Sequence, residues 1–213
     1  MRLVERDYEI LREIERWRCC LGRHVRYLAS FTGQRACDRR LKILLDNGYL
    51  ERKRILYGVP SLYNLTAKAK KLMGYSLRKD KIKIEQITHD IAVLDTVIYF
   101  LYKEKIPLSD MQSEKELHSQ EGFGVRTHKP DFVFTKNSKT YAVEIELNLK
   151  AKARLEKNIK SNFLAYEEQK WIVPKAKVKI KTLLDNYSTT YPNITIIQLE
   201  EVTNYVRNLL PNR

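Results

Sequence analysis

The spacing of apolar residues changes at Asn47-Gly48, and that change limits what the first part of this chain can become. Before it, apolar side chains recur every three or four residues, the period of a helix with one buried face. Tyr8, Leu11, Ile14 and Trp17 predict a helix over residues 6–17, and a second is expected over 21–31, where Thr32-Gly33 breaks it. A third is expected over 34–46, with Cys37, Leu41, Leu44 and Leu45 turned inward, and Asn47-Gly48 supplies a left-handed stop. After that stop, residues 49–56 read as a strand, 57–61 as a turn and 62–65 as the returning strand. Thr66 then caps a short helix through Met73.

Three helices, a hairpin and a further helix predict a winged helix-turn-helix, an arrangement that binds DNA. The charge agrees with that use. The chain has 213 residues and a formal net charge of +14, and residues 1–80 hold 19 basic against 9 acidic side chains. Such local excess points to a polyanion. The third helix would turn Arg35, Arg39 and Lys42 away from its core face, where they can meet base edges in a major groove. Asp38 and Asp46 interrupt that stripe. Arg52, Lys53 and Arg54 on the hairpin suit contact with the phosphate backbone, which positions a domain without reading sequence.

Residues 75–84 are charged and lack a helical period, so the expected division is a winged helix over 1–76, a basic linker over 77–84 and a second domain over 85–213. A long helix over 85–104 would bury Ile87, Ile91, Leu94, Ile98 and Leu101. Beyond it, strands are expected over 115–120, from Pro130, over 140–147, over 171–173 and over 194–199. Lys136-Asn137-Ser138-Lys139 reads as a turn, and helices are expected over 150–169, 175–186 and 202–209. The fold class is therefore α+β, the second domain being an α/β layer around a mixed central sheet.

Strand alternation places Glu144 and Glu146 on one face, and Asp131 begins the neighbouring strand of the hairpin. Carboxylates converging at one edge suit a hard divalent cation, Mg²⁺ or Mn²⁺, with Asp131 and Glu144 as the candidate ligands. The pattern Pro130-Asp131, twelve intervening residues, then Glu144-Ile145-Glu146 resembles the PD-(D/E)xK nuclease, or restriction-endonuclease-like, fold. That resemblance implies metal held by the Asp and the first Glu, with a Lys two residues on that activates water. Here Glu146 occupies the Lys position. Lys150, Lys157 and Lys160 on the next helix are the possible replacements, and spacing does not choose between them; the candidate catalytic set is Asp131, Glu144, Glu146 and Lys150. His89 and Asp90 on the long helix, and His128 just before Pro130, are further candidates.

Over most of residues 5–175 the chain also resembles the replication-relaxation proteins of bacterial plasmids and mobile elements. The resemblance lies in Asp7-Tyr8-Glu9-Ile10-Leu11, the block from Arg39 to Arg52, Leu65-Thr66-Ala67-Lys68-Ala69-Lys70-Lys71-Leu72, Thr88-His89-Asp90-Ile91-Ala92-Val93, Pro130–Phe134 and Val143–Glu146. It implies a winged helix joined to a nuclease-like domain, acting on duplex DNA in replication initiation or mobilisation. The family name suggests strand nicking, yet no histidine-hydrophobic-histidine motif accompanies any of the 13 tyrosines. Hydrolysis through Asp131 and Glu144 is the expected chemistry if the chain is an endonuclease or nickase. The alternatives are an origin-binding accessory protein without catalysis and without a cofactor, or a transcriptional regulator. Other proteins of the element and a second copy of the chain are the candidate partners beside DNA.

Other classes are excluded by missing motifs. The sequence has no G-x-x-x-x-G-K, H-E-x-x-H or G-x-S-x-G, and Gly122-Phe123-Gly124 lacks the third glycine of a dinucleotide loop. Three cysteines, two of them adjacent, supply neither a disulfide framework nor a zinc pair and are expected to be reduced. No signal peptide or membrane span is expected, so the chain reads as cytoplasmic.

Overall fold

A computed structural model describes residues 2–54, 58, 60–77, 83–122 and 127–209. The chain divides into two compact units, Met1–Leu94 and Asp95–Arg213. The division therefore falls inside the long helix rather than at the basic segment before it. The middle of that segment, 78–82, lies outside the described residues, as do 55–57 and 59 of the expected hairpin and 123–126, which include part of Gly122-Phe123-Gly124.

The first unit runs α1 (Glu5–Arg16), β1 (Cys20–Leu21), α2 (Gly22–Leu28), α3 (Gln34–Asp46), β2 (Leu50–Lys53), β3 (Leu62–Leu65), α4 (Ala67–Leu72) and the beginning of α5 (Ile84–Tyr102). Its sheet is antiparallel in the order β1-β3-β2. β1 was not foreseeable, because two residues carry no alternation; it exists because Cys20 and Leu21 pair with Tyr63 and Leu62. The second helix stops short of the expected Phe31. Ser30 takes a left-handed conformation (φ 51°), and the Phe31 N–H turns back to the Arg26 carbonyl at 2.8 Å. The same device ends α3 where Asn47-Gly48 predicts: Gly48 has φ 70°, and the Tyr49 N–H donates to the Leu44 carbonyl at 2.9 Å. Thr66 caps α4 by accepting from the Ala69 N–H.

Ile10, Leu11, Ile14, Cys37, Leu41 and Leu44 are fully buried, whereas Tyr8 and Leu45 of the expected core faces are only half-buried. Cys19, Leu21, Leu62 and Ile87 form a second cluster, with Ile91 against it. A polar staple joins α1 to α3. Arg40 grips Asp7 with both Nε and a terminal nitrogen, and the Asp7 carboxylate also accepts the Val4 N–H at 2.8 Å, closing the first turn of α1.

The second unit contains the rest of α5, a 3₁₀ turn (Leu108–Asp110), β4 (Met111–Ser113), α6 (Glu114–Ser119), β5 (Phe132–Lys136), β6 (Lys139–Ile145), α7 (Lys152–Ala165), β7 (Glu168–Val173), α8 (Val178–Ser188), β8 (Ile194–Gln198) and α9 (Leu199–Leu209). It is an α+β unit built on one mixed sheet in the order β4-β5-β6-β7-β8. The first three strands are antiparallel, and β6, β7 and β8 run parallel, joined through α7 and α8.

Residues 115–120 are expected as a strand, but a helix runs through Ser119 with Gln120 as its C-cap. Ser113 and Glu116 form a reciprocal capping box: the Glu116 N–H donates to Ser113 Oγ, and the Ser113 N–H donates to Glu116 Oε2 at 2.8 Å. The helix expected over 150–169 ends at Ala165, and Glu168, Gln169 and Lys170 extend the short strand expected over 171–173. That extension comes from a parallel partner on each side of β7. The hairpin between β5 and β6 turns at Asn137 and Ser138, both left-handed, the two-residue geometry that matches strand twist.

The two faces of this sheet are covered differently. Phe132 and Phe134 meet Phe100 of α5 on one face. On the other, Trp171 and Val173 pack with Leu155 and Ile159 of α7 and Ile180 and Leu184 of α8. Cys19, Cys20 and Cys37 are all unbridged and buried. No helix among the described residues is long and apolar enough to cross a membrane.

Candidate functional site

In the first unit, helical geometry separates two sets of α3 side chains. Cys37, Leu41 and Leu44 face the core, Arg40 turns to Asp7 of α1, and Arg35, Arg39 and Lys42 are exposed. Arg52, Lys53 and Arg54 on and after β2 are exposed as well. Several of these cations carry internal partners. Lys42 pairs with Asp46 at 2.8 Å, Lys53 pairs with Glu51 at 2.7 Å, and Arg52 hydrogen-bonds the hydroxyl of Tyr63, its cross-strand neighbour. Exposed ion pairs of this kind are worth roughly 0–1 kcal/mol. Asp38 is engaged by Gln34 Nε2 at 2.7 Å.

In the second unit, the register that pairs Phe132 with Val143, carried one residue further, sets Asp131 opposite Glu144. Asp131 Oδ2 accepts the Ile145 N–H at 2.7 Å, which locks the start of β5 to the end of β6. Glu144 pairs in register with Trp171, so it lies on the sheet face that α7 covers, and it is 3% exposed. A buried carboxylate needs donors. Glu144 Oε1 accepts from Asn162 Nδ2 of α7 at 3.0 Å and shares a 2.7 Å hydrogen bond with His128 Nε2. Burial and the charge of Glu144 push the Tyr166 hydroxyl above its ordinary pKa.

Glu146 lies just past the end of β6 and extends the parallel ladder through its N–H to the Ile172 carbonyl at 3.0 Å. Its side chain is 2% exposed, and Lys150 Nζ stands 2.6 Å from Oε2. That contact is an ion pair at hydrogen-bonding distance. Burial raises the pKa of Glu146, Lys150 opposes that rise, and Glu144 and Asp131 add to it. Burial works against a charged Lys150, but Glu146, Glu144 and Asp131 outweigh it, so the ammonium is held more firmly than usual.

The structure thus brings together Asp131, Glu144, Glu146 and Lys150. Lys157 and Lys160, the alternatives to Lys150, are exposed on α7. His128 joins the group through Glu144, whereas His89 and Asp90 belong to the first unit, with 3.6 Å between them. Asn162 and Tyr166 were missed. Their signal was present in Leu155, Asn158, Ile159 and Asn162, an apolar helix face on which two asparagines recur four residues apart. Among the described residues, no group of three or more His, Cys, Asp or Glu side chains is placed to hold a metal ion.

Comparison with known protein families found no match, and comparison with curated proteins found none.

Proposed function

We propose that this chain is a DNA-binding protein of a bacterial plasmid or integrative element, acting in replication initiation or mobilisation. The first unit is read as a winged helix-turn-helix, with α3 as the recognition helix and the β2–β3 hairpin as the wing. The observation that carries the reading is the exposure of Arg35, Arg39 and Lys42 on one helix together with Arg52, Lys53 and Arg54 on one strand end. Arginine reads guanine edges bidentately, and hairpin cations fix position on the backbone. Supercoiled plasmid carrying the element's own origin, incubated with the protein in Mg²⁺, Mn²⁺ or EDTA, tests it. Salt-sensitive binding to that DNA is expected, and no binding in any buffer would overturn the reading.

The entry of Lys150 among three carboxylates favours a second reading, strand nicking by the second unit. Carboxylates are the donor type of a hard cation: Asp131 and Glu144 would hold Mg²⁺ or Mn²⁺, which would supply Lewis acidity. The chain's own residues would do the remainder. His128 and Asn162 would hold Glu144 in one orientation, Lys150 would take the part of the lysine that the degenerate motif lacks, and Glu146 would fix that ammonium. Open circles that form only with metal, and are lost in Glu144→Ala, are the expected result. Bound but intact supercoils would leave an origin-binding accessory protein or a transcriptional regulator.

A further inference from the structure

Charge in the second unit is not spread evenly. Residues 147–181 hold ten basic side chains against three acidic ones, while the rest of the unit is net acidic. Nine of those ten are lysines. This stretch contains the two loops that leave the C-terminal ends of the parallel strands β6 and β7, the end of the sheet where Glu144, Glu146 and Lys150 also lie. Open α/β sheets bind ligands outside that end of their strands.

The loops are tied to each other. Lys177 Nζ, in the turn before α8, donates to Asn148 Oδ1, in the turn before α7, at 3.2 Å. Around that tie Lys152 and Arg154 of α7, and Lys175, Lys177 and Lys179 at the start of α8, are all exposed. Glu200 accepts the Lys175 backbone N–H at 2.9 Å.

We propose that these two loops form a cationic rim that takes the phosphodiester backbone of DNA without reading sequence. The proposal rests on the DNA-binding reading above and gives the second unit its own share of the contact. Lysine is a flexible point charge suited to phosphate, whereas arginine is the residue for bidentate recognition, and this rim is almost all lysine.

Two sets of substitutions in the full chain separate the proposal from the reading it rests on. One replaces Lys152, Lys177 and Lys179 by Ala; the other replaces Arg39, Arg52 and Lys53 by Ala. Affinity for a random-sequence duplex is measured across a salt series. The rim variant is expected to lower the dependence of log K on log salt by about 2–3 and the affinity by about tenfold or more. An unchanged slope in the rim variant, with a loss in the other, overturns the rim and leaves the first unit's role intact. The reverse pattern upholds the rim and overturns the first unit's role. A photo-crosslinking residue at the exposed Val178 supplies an independent readout, with one at the exposed Leu164 as control. Stronger labelling of DNA from position 178 than from 164 is expected, and equal labelling overturns the proposal. Rim-dependent binding of polyglutamate, with DNA binding unaffected, would assign the surface to an acidic protein and overturn it as well.

Discussion

The two units carry positive charge of different kinds. Residues 1–80 hold 13 Arg and 6 Lys, whereas residues 95–213 hold 4 Arg and 15 Lys. In the first unit, arginine does structural and surface work at once: Arg40 clamps a fully buried Asp7, while Arg35 and Arg39 on the same helix face outward. The planar guanidinium suits both tasks, because its donors are already set in a fork. In the second unit the basic residues are spread over helices, strands and loops, and Lys150 alone among the candidate lysines is drawn in, by a buried carboxylate. The lesson is that equal numbers of basic side chains do not mean equal use. One unit is built for directed contacts, the other for a diffuse cationic surface beside a guarded cluster of acids.

The largest expected effect tests the packing side of that comparison. Trp171 is fully buried among Leu155, Ile159 and Leu184, so Trp171→Ala should cost the second unit about 3–5 kcal/mol in denaturant unfolding. A loss below about 1 kcal/mol would mean that α7 and α8 collapse onto the gap. Next comes the polar staple. Arg40→Ala leaves Asp7 buried without its partner and should cost the first unit about 3 kcal/mol. A neutral result would show that water reaches Asp7, and would remove the structural half of arginine's role.

The surface contacts follow. Arg39→Ala should weaken binding to a specific site by about 1–3 kcal/mol and relax preference at one base pair. Equal weakening on random DNA would move Arg39 to the backbone class. Arg52→Ala or Lys53→Ala should instead weaken all sequences alike and lower the salt slope by about 1 each.

The smallest effect concerns pH. Hydrogen bonds from Thr127, then from His118, with Lys129 beside them, hold the Glu121 carboxyl at about 2. A carboxyl depressed in the fold stabilises it above the unfolded value of about 4.3, and that contribution disappears as pH falls through about 2. The gap in thermal midpoint between the wild type and Glu121→Gln should therefore be present at neutral pH and close in acid. A gap that persists at pH about 2 would mean that the amide loses something other than charge.

Periodicity made much of this architecture legible. The α3 span, the Asn47-Gly48 stop, the Thr66 cap and the two strands with Asp131 and Glu144 could be read from residue spacing alone. What could not be read was short or context-dependent. β1 has two residues and exists through its partner, and α6 wins over a strand because Ser113 and Glu116 cap each other. Among the site residues, the choice of Lys150 over Lys157 and Lys160 was open in the sequence, and Asn162 was invisible as a partner of Glu144. Each depends on where a chain segment returns, which local spacing does not encode.

By itself the sequence determined the longer helices and strands, most of their inward faces and the split between arginine-rich and lysine-rich halves, because these follow from side-chain period and composition within a few residues. Only the tertiary structure decided which lysine meets Glu146, that His128 and Asn162 converge on Glu144, and that Lys177 ties two loops together. The physical reason is that a buried charge must find its donors wherever the sheet and the helix over it place them, and those donors come from distant parts of the chain.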